Sequence, residues 1–122
     1  MNDSTRFIGI ISEQIKDTLH LQDSDIYMDD GLIIHIQRRH PEDQVYLADI
    51  PSILNNPDYY GISPNQDSTS FELVKKFDRN VQIGIKLDFD ENYYYIATLY
   101  TITETKLEHR LASGRLRPVQ NN

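Results

Sequence analysis

The stretch FELVKKFDRNVQIGIKLDFDENYYYIATLYTI, residues 71–102, decides the fold. It divides into three β-rich runs, FELVKKF (71–77), VQIGIKLDF (81–89) and YYYIATLYTI (93–102), joined by DRN and DEN, both suited to tight hairpins. In the middle run Val81, Ile83, Ile85 and Leu87 alternate with Gln82, Gly84, Lys86 and Asp88, the period of a strand with one apolar face. Three such runs in succession predict an antiparallel meander with one face buried. A helix from about Glu104 to Ala112 follows, capped by Thr103, carrying Leu107 and Leu111 inward and ended by Gly114.

Upstream of the meander the signals are helical and shorter. RFIGII, residues 6–11, is a β-rich run, and Ser12 is placed to cap a helix through about Leu21, with Ile11, Ile15 and Leu19 at helical spacing. The acidic cluster DSDIYMDD holds a short strand candidate at Ile26 to Met28. It lacks the glycine and terminal glutamate of a calcium loop, so it reads as a solvated turn. Asp49 is placed to cap a turn through Pro51, Ser52, Ile53 and Leu54, which NNPD breaks; Gly61 to Ser70 is polar and turn-rich, an exposed loop.

GLIIHIQRRHPED, residues 31–43, holds two of the four histidines and an arginine pair. As a strand, Leu32, Ile34 and Ile36 would share a face; as a helix, Leu32, Ile33, Ile36 and His40 form one stripe while His35, Arg38 and Arg39 meet at three- and four-residue spacing. Asp29 or Asp30 in front as N-cap and Pro41 behind are helix punctuation, which favours the helix. The fold class expected is therefore α+β: N-terminal helices packed on a three- to four-stranded antiparallel meander, closed by a C-terminal helix.

A chain of 122 residues suffices for one domain, taken as 1–122, and 39% hydrophobic with 25% charged residues marks a folded protein. With no cysteine, a disulfide scaffold, a thiolate zinc site and a cysteine nucleophile are all excluded. The N-terminus lacks the pattern of a secretory signal and no apolar run approaches a membrane span, so the expectation is a cytoplasmic protein with no membrane partner. The net charge of −7 argues against a broad nucleic-acid footprint. Residues 1–61 carry four Lys/Arg against eleven Asp/Glu and residues 62–122 carry eight of each, so a small basic site on an acidic body is allowed. There is no glycine-rich phosphate loop, no HExxH and no nucleophile elbow.

Taken in order, HIQRRHPE, IPSILNNPDYYG, FELVKKF and IATLYTITETKLEHRLASGRL resemble the phage-associated barnase/EndoU/colicin/RelE-like nuclease group, over roughly residues 26–117. A His-rich helix, a Pro-Asp segment and sheet strands ending in a threonine-containing strand recur there in this order. The resemblance implies a BECR-like fold and a metal-independent endoribonuclease of phage or toxin type, needing no cofactor. It implies RNA as substrate, tRNA among the candidates, and an antitoxin or immunity protein as partner.

Cleaving RNA without a metal uses the 2'-hydroxyl as internal nucleophile. A base takes its proton, an acid protonates the leaving 5'-oxygen, and cationic donors stabilise the phosphorane. Histidine suits both proton transfers, so His35 and His40 are the first candidates, with Arg38 or Arg39 as phosphate clamp. Five residues of helix turn through about 500°, leaving His35 and His40 about 140° apart unless the helix ends between them. The preferred assignment is His35 with Arg39, facing Lys75 and Thr98 across a cleft. Thr98 matches the family's strand threonine. Lys75 ends the row of Phe71, Leu73 and Phe77, and only one of Lys75 and Lys76 can face the cleft. Lys76, Tyr100, Arg115 and Arg117 complete the candidate substrate-binding set.

Each residue has an inert reading as well: surface histidines, an arginine pair solvated beside Glu42 and Asp43, a threonine chosen for strand propensity, and a basic helix C-terminus complementing its dipole. The corresponding alternative function is a catalytically silent BECR-fold binding module whose acidic surface engages a basic protein partner.

Overall fold

The computed structural model describes residues 3–62 and 70–120. Its elements are β1 (Thr5–Ile10), α1 (Glu13–Leu19), β2 (Asp25–Asp29), α2 (Asp30–Arg39), a 3-10 segment (Pro41–Asp49), α3 (Ile50–Asn55), β3 (Tyr59–Ile62), β4 (Ser70–Lys76), β5 (Asn80–Asp88), β6 (Tyr93–Ile102), α4 (Glu104–Ala112) and β7 (Arg117–Pro118). The class is α+β, but the sheet is larger than a four-stranded meander. It has seven strands in the order β1-β2-β6-β5-β4-β3-β7, antiparallel throughout except where β2 runs parallel to β6. The expected meander β4-β5-β6 is its centre. RFIGII and IYM join one side as β1 and β2, a pairing between distant segments that no local turn signal announces. Most of the expected loop from Gly61 to Ser70, residues 63–69, lies outside the described residues.

One face of the sheet carries the main core. Leu73, Ile83, Ile85, Ile96 and Leu99 are buried there against Ile15, Leu32, Ile36, Ile50, Ile53 and Leu54 from the helices. On the opposite face α4 seals a smaller cluster of Val74, Ile102, Leu107 and Leu116, with Leu111 partly buried. Removing this area from water contributes on the order of 25 cal/mol per Å² of apolar surface, so both faces of the central strands are committed to packing.

The caps follow the sequence closely. Ser12 accepts from the Ile15 N–H at 3.2 Å, Asp29 from the Gly31 N–H at 2.8 Å, and Thr103 from the Lys106 N–H at 3.1 Å. Of the two aspartates ahead of α2, Asp29 is thus the cap. α1 stops at Leu19 rather than about Leu21, because His20 adopts the left-handed conformation (φ 55°) that ends a helix. Asp49 makes no capping bond, since the 3-10 segment runs into α3 and leaves no extended residue between them to act as a cap. In the β5-β6 hairpin Asn92 (φ 58°) supplies the positive φ, and the Asp88 carboxylate accepts from the N–H groups of Asp90 and Glu91, both at 3.0 Å. No helix among the described residues is long and apolar enough to cross a membrane.

Candidate active site

Pro41 shapes the site before any catalytic group does. Its ring disfavours helical geometry at the residue before it, so His40, although its N–H still donates to the Ile36 carbonyl at 2.8 Å, leaves the helix with φ −140° and ψ 57°. The helical wheel placed His35 and His40 about 140° apart. The exception to that separation applies, because α2 ends at Arg39, between the two, and the imidazole rings lie edge to face with centroids 5.9 Å apart.

The rings border a pocket of about 450 Å³ that is lined also by β6, from Ala97 to Thr101, and by Glu42 and Asp43. Five consecutive residues of one strand line it because β2 pairs with β6 only at Tyr94 and Tyr95. Beyond that point β6 has no partner strand on this side among the described residues. A β-bulge falls at the same place: Gly84 pairs with Thr98 and Ile85 with Ile96, leaving Ala97 extra. The bulge reverses the facing of the residues beyond it, so Thr98 and Tyr100 turn away from the face that buries Ile96.

Of the residues expected to act together, the fold gathers His35, His40, Thr98 and Tyr100 at this pocket. Lys75 is not among them. It pairs with Val81 on the core face, opposite to Thr98, and its ammonium donates to the Asn56 carbonyl at 2.8 Å just past α3. The expected cleft of His35 and Arg39 facing Lys75 and Thr98 is corrected accordingly. Lys76 shares the Thr98 face but lies two register rows further along and pairs with Glu104 at 3.5 Å. Arg38 and Arg39 are exposed at the end of α2 and pair with no acidic side chain among the described residues. Arg117 lines a separate depression with Arg115, Tyr60 and Gly61.

A second constellation stands on the sheet face that Thr98 joins. Glu72, Gly84 and Thr98 form one register row, and Val74, Gln82 and Tyr100 the next. Glu72 and Gln82 are buried, yet every polar group is satisfied. Arg115 donates to both Glu72 carboxylate oxygens, at 2.7 and 3.1 Å. Gln82 Nε2 donates to Glu72 at 2.6 Å and to the Tyr100 hydroxyl at 2.7 Å, and Arg110 donates to Gln82 Oε1 at 2.5 Å. The hydrogen-bonded Glu72 carboxylate pushes the Arg115 pKa above its ordinary value, against the opposing effect of desolvation. Gly84 is required in the first row, because a Cβ there would stand 2.5 Å from Thr98 Oγ1.

A family model described as phage-Barnase-EndoU-ColicinE5/D-RelE like nuclease 3 matches residues 6–109. The chain belongs to this family. No curated protein and no solved structure matches it. The match takes in β1, which the resemblance read from residue 26 onward had left out, and ends within α4.

The pocket brings the two imidazoles against the β6 residues Thr98, Tyr100 and Thr101. The buried network holds Tyr100 from behind through Gln82. His40, Glu42 and Asp43 present ligand-capable atoms within 4.8 Å of one another. Glu72, Gln82, Arg110 and Asp43 escaped the sequence reading. Glu72 carried a signal, a carboxylate set inside the apolar run Phe71, Leu73, Val74; the others became visible only through pairing.

Proposed function

We propose that this protein is a metal-independent endoribonuclease of the phage or toxin type, cleaving RNA by attack of the 2'-hydroxyl on the adjacent phosphate. The observation that carries the reading is the convergence of His35 and His40 on a pocket walled by Thr98 and Tyr100. One imidazole takes the 2'-hydroxyl proton as the 2'-oxygen bonds to phosphorus. The other gives its proton to the departing 5'-oxygen, leaving a 2',3'-cyclic phosphate and a 5'-hydroxyl. With ring centroids 5.9 Å apart, one phosphodiester lies within reach of both. The Thr98 hydroxyl, exposed beside them, donates to a non-bridging phosphate oxygen. Arg38 and Arg39, exposed at the end of the helix that bears His35, supply positive charge to the approaching backbone.

The test is incubation of the purified protein with total tRNA and rRNA in EDTA, followed by end-group analysis. Discrete fragments with cyclic phosphate ends are expected, reduced at least a hundredfold by His35→Ala or His40→Ala. No cleavage of any RNA, with growth unaffected on induction, would sink the reading. The second reading, a silent binding module for a basic protein, draws on the excess of 19 acidic over 12 basic residues. A stable basic partner recovered from cells in which expression is harmless would favour it.

A further inference from the structure

The geometry points to a divalent transition-metal site built from His40, Glu42 and Asp43, placed so that an occupying ion withdraws His40 from proton transfer. The three residues offer an imidazole nitrogen and two carboxylate oxygens within 4.8 Å of one another. Zinc holds such ligands at about 2.0–2.2 Å, which puts tetrahedral ligand atoms roughly 3.4 Å apart. His40 and Glu42 are exposed and Asp43 is buried, so closing that difference falls to the two exposed side chains.

Asp43 is what makes this more than a group of surface acids. It is 3% exposed and lines the pocket. Among the described residues its carboxylate meets one donor, the Thr101 hydroxyl at 3.4 Å, beyond ordinary O–H···O hydrogen-bond length. No lysine or arginine pairs with it among those residues. Buried carboxylates are ordinarily paired with a cation or bound to a metal. The imidazole in the set favours zinc over magnesium, which prefers oxygen ligands and retains its waters. Three protein ligands leave the fourth position of a tetrahedral zinc site to water, and the His35 ring lies 5.9 Å from that of His40.

Metal binding stands on these ligands alone, whereas its consequence, inhibition of cleavage, rests on the acid–base role proposed for His40. The test is calorimetric titration of the chelator-treated full chain with zinc chloride, alongside RNA cleavage with and without zinc. One ion per chain is expected, with affinity reduced at least tenfold in Asp43→Asn and in His40→Gln, and magnesium failing to compete at a hundredfold excess. If Asp43→Asn does not fold, the exposed Glu42→Gln serves instead, with the same tenfold loss and a matching shift in the zinc concentration that halves its own metal-free cleavage rate. Absence of zinc binding, or binding unchanged in these variants, overturns the site even where RNA is cleaved. Zinc bound as expected by a protein that cleaves no RNA leaves the site standing and removes the nuclease reading.

Discussion

Replacing Arg115 with alanine should cost more stability than replacing Glu72 with glutamine, although both break the same ion pair. The reason is the unequal burial of the partners: the Glu72 side chain is 4% exposed and that of Arg115 28%. Without Arg115, a carboxylate remains inside the sheet face with only Gln82 Nε2 donating to it at 2.6 Å. Stranding a buried charge costs about 3–5 kcal/mol, and the partial exposure of Arg115 together with the surviving Gln82 bond brings the expectation to about 2–3 kcal/mol. In Glu72→Gln the buried group is neutral and the guanidinium can turn to solvent, so about 1 kcal/mol is expected. An unfolding entropy of about 2.1 cal/mol/K per residue converts these to falls in Tm of roughly 8–12 °C and roughly 4 °C.

Thermal unfolding followed by far-ultraviolet circular dichroism at neutral pH measures both. The double variant should lie close to Glu72→Gln alone, since the charge that Arg115 neutralises is then absent. An Arg115→Ala protein melting within about 2 °C of the wild type, or less destabilised than Glu72→Gln, would refute the argument from desolvation.

Local geometry sets three further outcomes. Gly84→Ala should destabilise by about 1–2 kcal/mol, because its Cβ would meet Thr98 Oγ1 at 2.5 Å, but should be neutral or stabilising in a Thr98→Ala background, where the next contact is 3.8 Å; chemical denaturation of the four proteins closes the cycle. Glu104 accepts from Asn80 Nδ2 at 2.9 Å, which holds its pKa below the ordinary glutamate value. Its contribution is therefore complete above the unfolded value and lost as pH falls through the folded one, so Glu104→Gln should melt below wild type at pH 7 and approach it as acid protonates the wild-type carboxylate. Asp29→Ala should cost about 1–2 kcal/mol by denaturant titration, because the carboxylate caps α2 and also accepts from the Ser4 hydroxyl at 2.9 Å; Asp29→Asn should keep most of the capping contribution.

The parts legible in the sequence are those governed by neighbours. Alternation in Val81 to Leu87, the hairpin triplets and the caps Ser12 and Thr103 are local chemistry, and they reappear in place. The parallel pairing of β2 with β6 is not local, and two short apolar runs carry no mark of the partner they will find. The site was half legible for a related reason. Strict alternation through YYYIATLYTI puts Thr98 on the face of Tyr94 and Ile96, and the bulge at Ala97 moves it to the other. The shift was written in the run itself, where buried apolar positions step from 94 and 96 to 99 rather than 98. Lys75 misled because a charge ending an apolar row reads equally as a cleft residue or as a cap on a neighbouring carbonyl, and the Asn56 carbonyl that decides between them is distant in sequence.

The topology also accounts for why the histidines stand where they do. β2 runs parallel to β6 for two register positions and then, at its Asp29 cap, becomes α2. The strand that would have continued the ladder is spent as a helix, so the edge of β6 from Ala97 onward is left without a strand beside it among the described residues. Unpaired edges invite association with other chains unless something covers them. Here the cover is the C-terminal end of α2 with the turn from His40 to Asp43, a polar segment rather than a strand. A polar cover cannot close over the edge as tightly as a ladder, and what remains between them is the pocket. The bulge at the first unpaired residue then turns Thr98 and Tyr100 toward the face held by the Glu72 and Gln82 network. The pocket, its imidazoles and the Tyr100 held by Gln82 thus share one origin, the early conversion of β2 into α2.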